Sequence, residues 1–145
     1  SLTDRDILPL ANAVGESMHI ANLDVCRNSF GEKGVVAFAQ SFAESTSLRT
    51  VNIGWNTFFS RGCSAVAEAL KACSTLRRLD LSRCGVPDDG AHTLVEALPS
   101  CQLEELNLSG NTISEDLAGP LRAACPGGMV LNLEQQLPTS KSGHW

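Results

Sequence analysis

No tyrosine occurs in these 145 residues, and Phe and Trp together supply only 5% of them. A core built on stacked aromatics is thereby excluded, and aliphatic side chains must carry the burial. Long apolar runs are missing too. The longest, Val35 to Ala39, has five residues, against the roughly 18 of a membrane span. Positive charge is in deficit: 11 Lys and Arg against 16 Asp and Glu leave a formal net charge of −5. That balance argues against a nucleic-acid partner, because phosphate binding wants a basic face. The first ten residues, SLTDRDILPL, hold no basic segment leading into an apolar one, so they do not read as a secretory signal. Charged residues at 19% and hydrophobic ones at 43% fit one folded domain rather than a disordered chain.

Six cysteines stand at 26, 63, 73, 84, 101 and 125, with no CxxC and no Cys/His group at metal-ligand spacing. They read as small apolar side chains carrying free thiols. Without a secretory signal, that predicts a reduced, cytoplasmic setting.

What the chain has in excess is leucine, 19 residues of it, and the leucines recur. Units starting near 20, 48, 76 and 103 align, and a truncated fifth begins near 128. The first column holds Ile20, Leu48, Leu76 and Leu103; the fourth holds Leu23, Val51, Leu79, Leu106 and Leu131. The sixth holds Val25, Ile53, Leu81, Leu108 and Leu133, and the ninth Asn28, Asn56, Cys84 and Asn111. The eleventh holds Phe30, Phe58, Val86 and Ile113. Written as L-x-x-L-x-L-x-x-N/C-x-L, this resembles the leucine-rich repeat, in its long, ribonuclease-inhibitor-like class. Extracellular members of that family carry clustered cysteines at their caps; none appear here.

Each column has a physical task. Alternation across positions four to six is a strand period, with four and six facing a core. Strands are expected near 22–26, 50–54, 78–82, 105–109 and 130–133. Asn28, Asn56 and Asn111 are expected to form a ladder of side-chain bonds to the turning backbone, with Cys84 as a weak donor in the same column. Helical spacing follows, from about Arg61 to Ala72 and from Asp88 to Leu98, with Pro87 at a helix start. Gly34, Gly62 and Gly90 share a column and are expected to let each helix pack closely on the strands. The fourth unit is shorter, with Leu117 in that column, so its helix should be irregular.

Stacked units bury what one unit leaves exposed. The expected fold is α/β: a curved, right-handed solenoid over residues 1–137, parallel strands concave and helices convex. Residues 1–17 read as the back half of an earlier repeat, which favours a fragment of a larger intracellular protein. Residues 138–145 read as a disordered tail.

Catalytic chemistry finds little support. His19, His92 and His144 are scattered, and Asp88-Asp89 and Glu104-Glu105 read as solvated faces. No catalytic residue, metal site, cofactor or small-molecule substrate is expected. The strand face is more informative. Its fifth column runs Asp24, Asn52, Asp80, Asn107 and Asn132, and its eighth Arg27, Trp55, Arg83, Gly110 and Gln135. Arg78 lies in the third. Trp55 between two arginines either covers a local gap or anchors a partner protein, which would bring an apolar or aromatic group to the indole and carboxylates to the two arginines. The expected function is a non-enzymatic protein-interaction module using this face, through Trp55, Arg27, Arg83, Arg78, Asp24, Asn52, Asp80 and Asn107. The family resemblance also implies alternatives: an activator of a small GTPase, as Ran activators of this class are, with Asn56 or Asn111 as candidate residues, or a purely structural segment of a longer solenoid.

Overall fold

A computed structural model describes residues 2–138; of the expected tail over 138–145, residues 139–145, His144 included, lie outside them. Five short strands form one sheet in the order of the chain: β1 (Asn22–Asp24), β2 (Thr50–Asn52), β3 (Arg78–Asp80), β4 (Glu105–Asn107) and β5 (Val130–Asn132). All pair in parallel. Asn22 faces Thr50, Thr50 faces Arg78, Arg78 faces Glu105, and Glu105 faces Val130. Register therefore follows the sequence repeat, including its shortening in the last units. Helices α1 (Asp4–Glu16), α2 (Glu32–Glu44), α3 (Phe59–Ala72), α4 (Asp88–Ala97) and α5 (Ala118–Ala124) alternate with the strands. Among the described residues, no helix is long and apolar enough to cross a membrane.

Parallel strands joined through helices cross over right-handedly, and the two layers have unequal spacing. Strands sit about 4.8 Å apart while packed helices need about 8–10 Å. The stack must bend toward the narrower layer, so the strands line the concave side.

The strands are three residues long rather than the expected four or five. Interchain-like ladder bonds nevertheless continue between units: the Val25 N–H donates to the Asn52 carbonyl at 2.9 Å, and the Trp55 N–H to the Ser82 carbonyl at 2.8 Å. They run on to the eighth position of each unit, where the backbone turns left-handed. Columns four and six point inward as expected, with Leu79, Leu81, Leu106 and Leu108 all buried. Leu131 and Leu133 of the last unit are half-buried. Column eleven lies deep between sheet and helices, where Phe30 stands 5.7 Å from Phe38, ring centre to ring centre.

The glycine column departs from expectation. A Cβ on Gly34 would lie 2.6 Å from Asp4 Oδ1 of α1, and one on Gly90 would lie 2.9 Å from Cys63 Sγ of α3. At Gly62 the obstacle is the Phe58 side chain. These glycines thus admit the preceding helix and the column-eleven side chain, not the strand layer. Leu117 fills that column in the fourth unit, and there the helix breaks into a 3-10 turn, Glu115–Leu117, before α5. Helix α3 also starts two residues early, at Phe59.

All six cysteines are free thiols, Cys73 and Cys101 included. Burial pushes the Cys63 thiol up from 9.0 to about 12 and drives Cys84 up as well. A group whose pKa rises on folding contributes its full stability below the unfolded value and loses it as pH climbs toward the folded one. Unfolding free energy is expected to decline between pH 9.0 and about 12, at about 1.4 kcal/mol per pH unit for each thiol held neutral. Urea titrations on either side of that boundary measure the slope. Cys63→Ala should flatten it, and an unchanged slope in that variant would show that Cys63 ionises as freely folded as unfolded.

Candidate interaction face

Column eight carries the most unusual backbone in the molecule. Arg27, Trp55, Arg83 and Gln135 have φ of 57°, 59°, 50° and 57°, and Gly110 has 69°. Every unit thus places a left-handed residue at the same point, a conformation that L side chains adopt at some cost. The turn it makes brings column nine back under the sheet edge. There Asn56 Nδ2 donates to the carbonyls of Val25, Ile53 and Gly54 at 3.0–3.2 Å. Its Oδ1 accepts from the Asn28 N–H at 3.1 Å. Asn111 repeats the pattern, donating to Leu81 and Leu108 and accepting from the Cys84 and Val86 N–H groups.

The ladder is longer than the three asparagines. Cys84 keeps one rung through its thiol, 3.4 Å from the Ile53 carbonyl. At one end the Leu2 N–H donates to Asn28 Oδ1. At the other, Gln136 takes the asparagine's place, its Nε2 donating to the carbonyls of Leu108 and Leu133 and its Oε1 accepting from Ile113. Gln136 escaped the sequence reading, which ended the column at Asn111; counting nine positions into the fifth unit would have found it.

Column five also has a structural task. In each unit its Oδ1 accepts the N–H two residues on: Asp24 from Cys26, Asn52 from Gly54, Asp80 from Ser82, Asn107 from Ser109 and Asn132 from Glu134. Such turns demand a short side chain with an acceptor oxygen, which explains why the column is Asp or Asn throughout. The thiol and N–H of Cys26 hold the Asp24 carboxyl below the ordinary carboxylate range. A shallow groove of about 320 Å³ gathers Asp24, Asn52, Arg78, Asp80, Glu105 and Asn107. Within it Arg78 Nε lies 3.5 Å from Glu105 Oε2, both side chains exposed, an arrangement that adds little stability.

Asp88 corrects another expectation. It is no solvated acid: its Oδ1 accepts the Ser114 N–H at 2.7 Å. Asp4 does the same one helix turn from the other end, accepting from Gly31 and Gly34 at the start of α2.

Alongside the groove runs the cationic stripe. Arg27 and Arg83 approach the Trp55 ring from the units on either side, their guanidinium carbons 4.3 Å and 4.8 Å from its centre. Trp55 keeps 43% of its surface exposed, so it covers no gap in the core. Its faces, though, are taken by the two guanidiniums, which leaves a partner the ring edge. An apolar or aromatic group brought to Trp55 would meet the indole at that edge. Arg83 in turn rests on Gly110, where a Cβ would come within 2.6 Å of its Cγ. A larger cleft, about 720 Å³ between residues 112–118 and 133–138, takes Gln135 from column eight and Gln136 from column nine.

Residues 44–67 and 72–95 match the family model described as Leucine Rich repeat, and residues 102–123 match one described as Leucine Rich Repeat. Among solved structures, that of leiomodin-1 actin-binding site 2 is similar, with a TM-score of 0.71. The alignment covers 85% of this chain and 69% of that one at 18% identity, a likeness of fold. No curated protein matches the chain in sequence.

Proposed function

We propose, from the premise that this chain is a leucine-rich repeat protein, that it is a non-enzymatic interaction module binding a partner protein on its concave strand face. The carrying observation is the Arg27–Trp55–Arg83 stripe. Columns five and nine are tied up in turns and in the ladder, yet this column sets an exposed Trp55 between the stacked guanidiniums of an exposed Arg27 and a half-buried Arg83. Exposed Trp and Arg are the residue types that dominate binding energies at protein interfaces. The similar structure's name as an actin-binding site supports a protein as the class of partner. Six free thiols support a reduced, intracellular setting. The reading takes residues 1–137 as one solenoid.

Action as a GTPase activator would need a polar side chain free to enter the partner's site. Asn56 and Asn111 are 1% and 0% exposed and fully engaged in the ladder, which weighs against them in that role.

Affinity capture from a cell lysate tests the proposal with three baits: the natural chain, Trp55→Ala on the concave face, and Lys71→Ala on the convex helix α3. Trp55→Ala is expected to weaken capture by about 2 kcal/mol or more, with the melting temperature nearly unchanged. Lys71→Ala should retain the same proteins. If Trp55→Ala unfolds the chain while binding per folded molecule stays the same, Trp55 is structural and the face is wrongly placed.

A further inference from the structure

We infer that Arg27 and Arg83, braced on Trp55, form a clamp for two carboxylates carried seven residues apart on one α-helix of the partner. The inference rests on the concave face being the interface, and it names what that face takes.

A guanidinium carries five N–H donors in a planar fork and accepts nothing. The three other arginines nearest the strand layer use theirs internally: Arg49 donates to the Thr75 carbonyl, Arg77 to the Ser74 and Leu76 carbonyls, and Arg78 meets Glu105. Arg27 and Arg83 differ. Among the described residues neither has an ion-pair partner, and the ring beneath each supplies attraction without using its N–H groups. Stacking also fixes two long side chains before any partner arrives, so less rotamer freedom is lost on binding. The result is a pair of forks, held in place and open to planar acceptors.

Charge selects the acceptor's carrier. Asp24 and Asp80 stand beside the stripe, with Glu105 in the same groove, and the chain has a net charge of −5. A uniform polyanion would be repelled there. A segment with acids along one side and Lys or Arg along the other would satisfy both columns.

Spacing selects its conformation. Arg27 and Arg83 lie two strands apart, about 10 Å. Residues i and i+7 of a helix share a face and stand about 10.5 Å apart. On an extended segment, same-face residues fall at about 6.6 Å or 13 Å, and neither matches.

Selection from a displayed library of helix-forming peptides, one face randomised, tests this with the full chain as bait. Expected are enriched peptides with Asp or Glu at i and i+7 and a basic residue on the adjoining stripe. Each should bind tenfold or more weaker to Arg27→Gln and to Arg83→Gln, and far weaker to the double variant. Gln135 already occupies this column at the same φ, so Gln is suited to the backbone there. Binders that fail on Trp55→Ala yet lack the acid pair overturn the clamp and leave the concave interface standing. So does a single-stranded oligonucleotide that displaces the peptides as well as free peptide does. If no selected binder responds to any concave-face substitution, both the clamp and the interface fall.

Discussion

An Asn111→Ala variant is expected to lose at least about 3 kcal/mol of stability, more than most single substitutions cost. Asn111 is fully buried. Its Nδ2 reaches the Leu81 and Leu108 carbonyls at 2.9 Å each, and its Oδ1 receives the Cys84 and Val86 N–H groups at 2.9 and 3.0 Å. Alanine would abandon both buried amides at once, and each orphaned buried group costs about 1–3 kcal/mol. The loss should be smaller at Asn28→Ala. Asn28 is half-buried, and the Val25 carbonyl that it holds is also held by Asn56. Asn111→Cys should keep part of the stability, since Cys84 shows a thiol serving in this column. Urea unfolding of the three variants gives the order. A loss under about 1 kcal/mol at Asn111 would mean that the ladder follows the fold rather than holding it.

How far such a ladder can be read from sequence depends on what a column exposes. Columns four, six and eleven were legible because burial restricts them to aliphatic or aromatic side chains, and each of the four complete units repeats that restriction. Register followed from the same alignment. The left-handed turn at column eight was not legible, because Arg, Trp, Arg and Gln have no shared preference for positive φ; Gly110 alone hinted at it. Column five looked like a soluble face because Asp and Asn suit one, whereas the turn to the N–H two residues on is what restricts it to those two types. The glycine column was seen, but its neighbour was misjudged. A one-dimensional repeat shows that a small residue is required and not which adjacent layer requires it. For the stripe itself, one-repeat spacing brought Arg27, Trp55 and Arg83 together on paper. The stacking that closes the ring faces depends on side-chain direction, which the spacing does not carry.

Leu81→Ala is expected to cost about 2–5 kcal/mol, the range for emptying a fully buried leucine site. Leu133 belongs to the same column and gives a measure of position alone. Leu81 is fully buried in the third unit, between neighbours on both sides, while Leu133 is half-buried in the last described one. In a stacked array each unit is stabilised by its two interfaces, so a cavity at Leu81 loosens the contacts toward β2 and toward β4 together. A cavity at Leu133 loosens only the contact toward β4, and the lining there relaxes more easily against solvent. Leu133→Ala should therefore cost about 1 kcal/mol, close to the transfer term of the few methyl groups already partly wet. Denaturant unfolding followed by circular dichroism and by Trp55 fluorescence reads both variants. Equal losses at the two positions would contradict an array in which burial grows with the number of flanking units.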